Sequence, residues 1–263
     1  MCALKSGLAL ANKLKADLRI VHVRLGANYA SGYEETTAAG DPVAMLDRIL
    51  LDNRQAYYVE GGKFDYKVRE GNVADELINQ AKYDDASLIV MGSHGVSGIS
   101  KSWIGGNAYK MICNAPCPVL VIRPDMVYDT KFQRIAVTIE LQKNSRRKMP
   151  VVAGVAKTMG AKAVVLGVQR SSWKAIFDRI ALSVRQVEKY LTNTAKVEVE
   201  SSVLISGDDV DGRLLEAIKS ANADMVAIDI TNSGFFFVDR FRPFLTTLIN
   251  NAVCPVLAIP IKD

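Results

Sequence analysis

The sequence is poor in the residues that build metal sites and disulfide frameworks. Four cysteines (Cys2, Cys113, Cys117 and Cys254) and two histidines occur in 263 residues. No two cysteines stand as Cys-x-x-Cys, so neither a zinc site nor a disulfide scaffold is expected. No apolar run reaches the roughly 18 residues that a membrane span needs. No charged-then-apolar leader opens the sequence, and the expected compartment is the cytoplasm. A Walker A loop, a Gly-x-Gly-x-x-Gly fingerprint and a Gly-x-Ser-x-Gly elbow are also missing. Each of those absences removes an enzyme class from first consideration.

What is present reads as a folded chain. Hydrophobic residues make up 49% and charged residues 23%, which excludes a disordered chain, a collagen and a coiled coil. The net charge of +5 is uneven. Residues 1–130 hold 14 basic and 15 acidic side chains, against 19 and 13 in residues 131–263. The asymmetry points weakly to an anionic partner for the second half, with ordinary surface variation as the plainer reading.

The chain repeats itself. Ala115-Pro116-Cys117-Pro118-Val119-Leu120-Val121-Ile122 returns 137 residues later as Ala252-Val253-Cys254-Pro255-Val256-Leu257-Ala258-Ile259. Ala86–Met91 returns at the same offset as Ala223–Ile228, and Leu18–Val23 answers Ala163–Val168 at 145. A period this long means two copies of a domain, expected at 1–126 and 131–263, rather than a solenoid.

Strands and helices alternate within each copy. Ala3–Lys15 reads as a helix from its apolar spacing, and Leu18–Val23 as a strand. Asp41 caps a helix that Pro42 begins, and Asn72 caps another running through Lys82. Phe64–Val68, Ser87–Met91 and Val119–Ile122 complete the strands, and Gly106–Asn114 is the last helix. The second copy adds a strand, Arg134–Ile139, before its first helix at Ser145–Met159. The first copy has no counterpart, and a sequence that continues upstream of Met1 is the favoured reading. The alternation predicts a doubly wound α/β fold in each copy. The closing strands, Val119–Ile122 and Val256–Ile259, are expected to pair antiparallel and join the copies.

The segment from Met91 through Asn107 carries the most chemistry. It leaves a buried strand and enters a helix at Gly105-Gly106-Asn107, where free N–H groups and the helix dipole attract an anion. Glycines let a ligand approach the backbone closely. A loop rich in glycine only for turning is the competing reading.

The pattern Gly92-x2-Gly95-x9-Gly105-Gly106-Asn107 resembles the ATP-binding motif of the universal stress protein family, Gly-x2-Gly-x9-Gly-Ser/Thr. Val90-Met91, His22-Val23 and Ala115–Ile122 are similar to that family as well, and the likeness spans both copies. It implies two five-stranded parallel sheets of order 3-2-1-4-5, with ATP, with or without Mg²⁺, between strands 1 and 4. It implies that Val23 meets the adenine through its backbone. Met91, Gly92, His94 and Gly95 would line the ribose and phosphates, and Gly105, Gly106 and Asn107 would hold the phosphates. Gly106 departs from the family's Ser or Thr. The family's adenine-contacting Asp follows a first strand that this sequence lacks.

The second copy has lost the cradle. Asp229 stands for Gly92, Asn232 for Gly95, and Arg242-Pro243 for Gly105-Gly106. Its loop, expected at Phe235–Phe244, holds five phenylalanines in ten residues. It reads as a plug that fills the vacated pocket or packs onto the other lobe, or as an exposed docking patch for a protein, a membrane or an apolar ligand. His94 beside Ser93 reads as a phosphate-facing residue rather than a base, His22 as structural, and Cys117 and Cys254 as buried small hydrophobes. Lys143–Lys148 reads as a solvated basic face, and no nucleic acid partner is expected. Trp173 through Leu191 reads as one core face of a helix. The leading expectation is an ATP-binding stress-response regulator with a degenerate second domain, capable of homodimerisation and at most of slow hydrolysis. The alternative is a scaffold or chaperone-like protein without a nucleotide.

Overall fold

Capping acceptors start several helices where the sequence places them. Asp41 accepts from the Val43 amide and Asn72 from that of Asp75. The computed structural model describes residues 2–25, 41–93, 104–124, 126, 132–141, 146–170, 173–231 and 234–261, with the backbone alone for 231 and 234–242. The first half runs α1 (Cys2–Leu14), β1 (Leu18–Arg24), α2 (Pro42–Asn53), β2 (Phe64–Glu70), α3 (Val73–Tyr83), β3 (Ile89–Gly92), α4 (Gly106–Asn114) and β4 (Val119–Ile122). The second runs β5 (Arg134–Ile139), α5 (Met149–Met159), β6 (Lys162–Val168), α6 (Lys174–Lys189), β7 (Val199–Ile205), α7 (Val210–Ser220), β8 (Met225–Thr231), α8 (Gly234–Asn251) and β9 (Val256–Ile261).

Seven strands form one sheet in the order β3-β4-β9-β8-β5-β6-β7. Its second-half strands are all parallel, with β5 between β6 and β8. The halves meet where β4 runs antiparallel to β9, placing Val119 opposite Ala258 and Val121 opposite Val256. β4 is buried throughout and β9 at every residue but Pro260, so their apolar edges are spent on each other rather than exposed.

The first half departs from the expected five-stranded sheet. β1 pairs only with β2, as a separate parallel ribbon, while β3 pairs with β4 in the large sheet. The physical reason lies in the second half, where β5 bridges β6 and β8. No described strand takes that place between β1 and β3, so no ladder connects them.

Helices cover both faces of the large sheet. Tyr109 and Ile112 of α4, Leu214 and Ile218 of α7, and Leu245 and Leu248 of α8 form one apolar layer. Leu10 of α1, Val152 and Ala156 of α5, and Ile180 and Val184 of α6 form the other. With both faces covered, β5 and β6 show no polar alternation beyond their first residues. Gly167 lets α6 approach closely. A Cβ there would lie 2.5 Å from Leu204 Cδ2 and 2.8 Å from Val184 Cγ2.

Three expectations are corrected. The Phe235–Phe244 segment is not a loop but the start of α8, and Pro243 lies inside that helix. Trp173 is exposed and stands outside the core face that Ile180, Val184, Val187 and Leu191 form. It is the residue preceding α6, so helical spacing does not govern its direction. Lys148 is fully buried, not part of a solvated face.

Candidate functional site

Two crevice positions can be built from the repeat, one in each half. The first lies where β3 ends and α4 begins. Ser93, fully buried, donates its amide to the Ile122 carbonyl at 3.0 Å. Its own carbonyl accepts from the Gly105 amide at 3.4 Å. The strand end and the helix start are thereby fastened together. Gly105 caps α4 with extended backbone and no side-chain acceptor. The Tyr109 amide closes the first helical bond onto Gly105 O at 2.9 Å. The amides of the preceding turn, at Gly106, Asn107 and Ala108, have no acceptor in the helix. No acidic residue sits in that turn. A Cβ at Gly106 would meet nothing within 4 Å, and Gly106 and Asn107 are exposed. An anion therefore finds open space, free donors and the positive end of a dipole, worth about 0.3–1 kcal/mol at an exposed helix end.

Met91, Gly92, Gly105, Gly106 and Asn107 are thus brought to one place. Val23 is half-buried on β1, opposite Arg69 of β2, and its ribbon shares no ladder with β3. His94 and Gly95 lie outside the described residues. Cys254 is buried, and desolvation pushes its thiol up to about 12. That fits an inert core residue rather than a nucleophile.

The second position is the counterpart crevice, between β5 and β8. There the protein supplies its own charges. Lys148 Nζ, at the N-terminus of α5, donates to Asp229 Oδ1 on β8, and both side chains are buried. Glu140 follows β5, and Arg170 follows β6. The Arg170 guanidinium lies 3.8 Å from Glu140 Oε1, bonds Asp211 Oδ1 at 2.5 Å, and covers the Phe244 ring at 4.5 Å. Desolvation raises the Glu140 carboxyl above its ordinary range, and Asp229 adds to the rise. Arg170 and Lys148 oppose it.

The sequence singled out Asp229 but not its partner. A lone carboxylate in the apolar strand Met225–Thr231 was the available signal, because an isolated buried charge is not tolerated. Which cation answered it depended on the fold. No group of three or more His, Cys, Asp or Glu side chains suited to a metal occurs among the described residues. No described helix is long and apolar enough to cross a membrane.

Known proteins show the family and the fold. Residues 2–123 match the family model described as "Universal stress protein family". The universal stress protein YxiE of Bacillus subtilis is 30% identical over 132 residues, spanning 46% of this chain and 88% of that protein. A universal stress protein structure from Archaeoglobus fulgidus superposes with a TM-score of 0.71 at 19% identity, covering 99% of this chain and 92% of that one. That likeness shows the fold over the whole length. A shorter A. fulgidus universal stress protein, solved in complex with dAMP, is 16% identical with a TM-score of 0.39, over 49% of this chain and 98% of its own. With the repeat, the fold and the sequence match together, the chain belongs to the universal stress protein family.

Proposed function

We propose that the chain is a nucleotide-responsive regulator. Its first domain, residues 1–126, binds ATP, and its second, 131–263, is a degenerate copy that binds none. The observation that carries the reading is the uncapped, unsubstituted start of α4 fastened to the end of β3. The open space at Gly106 fits a phosphate. Asn107 would supply a side-chain donor in place of the hydroxyl that the family carries at the position of Gly106. Met91 and Gly92 would line the ribose side, and His94 and Gly95 complete the motif by sequence. Val23 would serve the adenine only if β1 faces β3 across the crevice. Nucleotide complexes of other members, with dAMP and with cAMP, set the ligand class to test. Mg²⁺ would arrive on the phosphates, and its chemistry would be charge neutralisation there.

The buried Lys148–Asp229 pair supports a second crevice that needs no ligand. Its charges satisfy each other where the repeat would otherwise place phosphate donors.

Calorimetry with ATP and Mg²⁺ on the chain and on Gly105→Asp tests the proposal. Asp is a favoured N-cap residue, and the extended backbone of Gly105 accepts it. A Cβ there would lie 3.9 Å from Ser93 O, an ordinary contact. The variant therefore keeps its helix and sets a carboxylate against the phosphates. Binding by the chain and its loss in the variant is the expected pair. Silence from a folded chain overturns the reading and favours a scaffold that acts through partners.

A further inference from the structure

We propose that one face of α2 is the surface on which a second copy of the chain docks, with the two α2 helices antiparallel about a two-fold axis. The face follows from spacing. Val43, Asp47, Leu50 or Leu51, and Arg54 succeed one another at steps of three and four, so they share one side of the helix. Arg54 closes the helix with helical backbone of its own. Leu46, on another side, is the helix's one buried residue.

This face borders a groove of about 480 Å³ whose other wall is Tyr57, Val59, Gly62 and Phe64. The repeat shows why the groove is there. Gly62 stands two residues before β2, where the second half has the buried Val197 two residues before β7. A Cβ at Gly62 would meet the Tyr57 hydroxyl and the Val59 side chain. That hydroxyl donates to the Ala16 carbonyl at 3.0 Å, and the Tyr57 and Phe64 rings stand 5.4 Å apart. The wall is therefore fixed before any partner arrives. Beside it Leu51 is 73% exposed. An aliphatic side chain so exposed at the rim of an apolar groove is area that association takes out of water.

The charge pattern names the occupant. Asp47 lies on one side of the leucines and Arg54 on the other, with the exposed Val43 and Tyr58 beyond them. A two-fold axis passing between Leu50 and Leu51 sets Asp47 of each copy opposite Arg54 of the other. The leucines then meet at the centre. The face is thus complementary to itself, as an isologous interface requires. Parallel helices would instead set like charges together. Asp47 Oδ1 accepts the Tyr66 hydroxyl at 2.9 Å, which ties the carboxylate beside the groove. No carboxylate pairs with Arg54 among the described residues. The apolar seam of β4 and β9 is already used within the chain, so a second copy needs another surface. Twelve residues of helix span about 18 Å. That is a small face, and the dimer is weak and reversible, with a Kd of about 10–100 μM.

Sedimentation velocity on the full chain over about 5–500 μM reads the association. Leu51→Ser removes the central contact at an exposed position, keeps the parent's circular dichroism, and weakens the dimer at least about tenfold. Asp47→Arg alone, or Arg54→Asp alone, replaces both cross-pairs by repulsions and weakens it by a similar factor, about tenfold. An equimolar mixture of those two variants sets the cations of one on the carboxylates of the other, and association returns to within about threefold of the parent. A chain that stays monomeric throughout, a dimer indifferent to Leu51→Ser, or a mixture that associates no better than its components overturns the proposal. The readout needs no nucleotide, so it stands or falls apart from the ATP reading.

Discussion

Replacing Asp229 by Ala removes the carboxylate that Lys148 Nζ bonds, in a site where the ammonium has no exposure. The two side chains are 0% and 7% exposed, so water offers little compensation. Removing one partner of a buried pair costs about 3–5 kcal/mol, because the remaining charge loses its bonded carboxylate but stays desolvated. The double change Lys148→Met with Asp229→Leu removes both charges and fills the volume with apolar groups. Such replacements are neutral or stabilising, so the double variant should lie within about 1 kcal/mol of the parent. The two sites are therefore strongly coupled, with an interaction energy above about 2 kcal/mol. Urea titration by far-UV circular dichroism measures all three variants against the parent, with the midpoint as readout and the slope as check. A cost below about 1 kcal/mol for Asp229→Ala, or a double variant as weak as the sum of the singles, would refute the buried-pair account.

Glu140 gives a pH prediction. Burial holds its folded carboxyl above the ordinary range. The folded state then binds the proton more tightly than the unfolded chain does. Stability from that proton is full below the ordinary carboxylate range and is lost as pH rises through the folded value. Glu140→Gln should flatten this dependence and raise the melting temperature more at pH 8 than at pH 5, as scanning calorimetry at both would show. Thiol titration with an aromatic disulfide should modify Cys2 first, since it is the only half-exposed cysteine. Cys254, held near 12, should stay silent until the chain unfolds. Asp224→Ala should cost about 1–3 kcal/mol, because Asp224 Oδ2 accepts the amides of Gln133 and Arg134 at 2.7 and 2.8 Å; urea titration reads this too.

Much of the fold was legible because local chemistry agreed with the tertiary result. Asp41 and Asn72 cap the helices that their spacing predicts, and Gly105-Gly106 opens α4. The repeat itself made the antiparallel seam at Val119–Ile122 and Val256–Ile259 readable. What escaped was what only three dimensions decide. Lys148 sits in a basic run, and nothing local separates it from the exposed Arg146 and Arg147. Its burial follows from facing Asp229 across the sheet's end. The Phe235–Phe244 segment was read as a loop by analogy with the glycine-rich copy. Without glycines those residues have no reason to leave helical backbone, and Phe244 is buried beneath Arg170. At the first crevice, glycine spacing marked the helix start. The ribbon of β1 and β2 standing apart from β3 could be read only from the sheet.

The central claim, a nucleotide cradle in the first half and none in the second, is met most directly by hydrogen exchange with and without saturating ATP and Mg²⁺. The account predicts slowed exchange at the amides of Gly105 through Ala108 and along β3, with the end of β8 and the start of α5 unchanged. Protection centred on Asp229 and Lys148 instead, or on neither crevice, would contradict it.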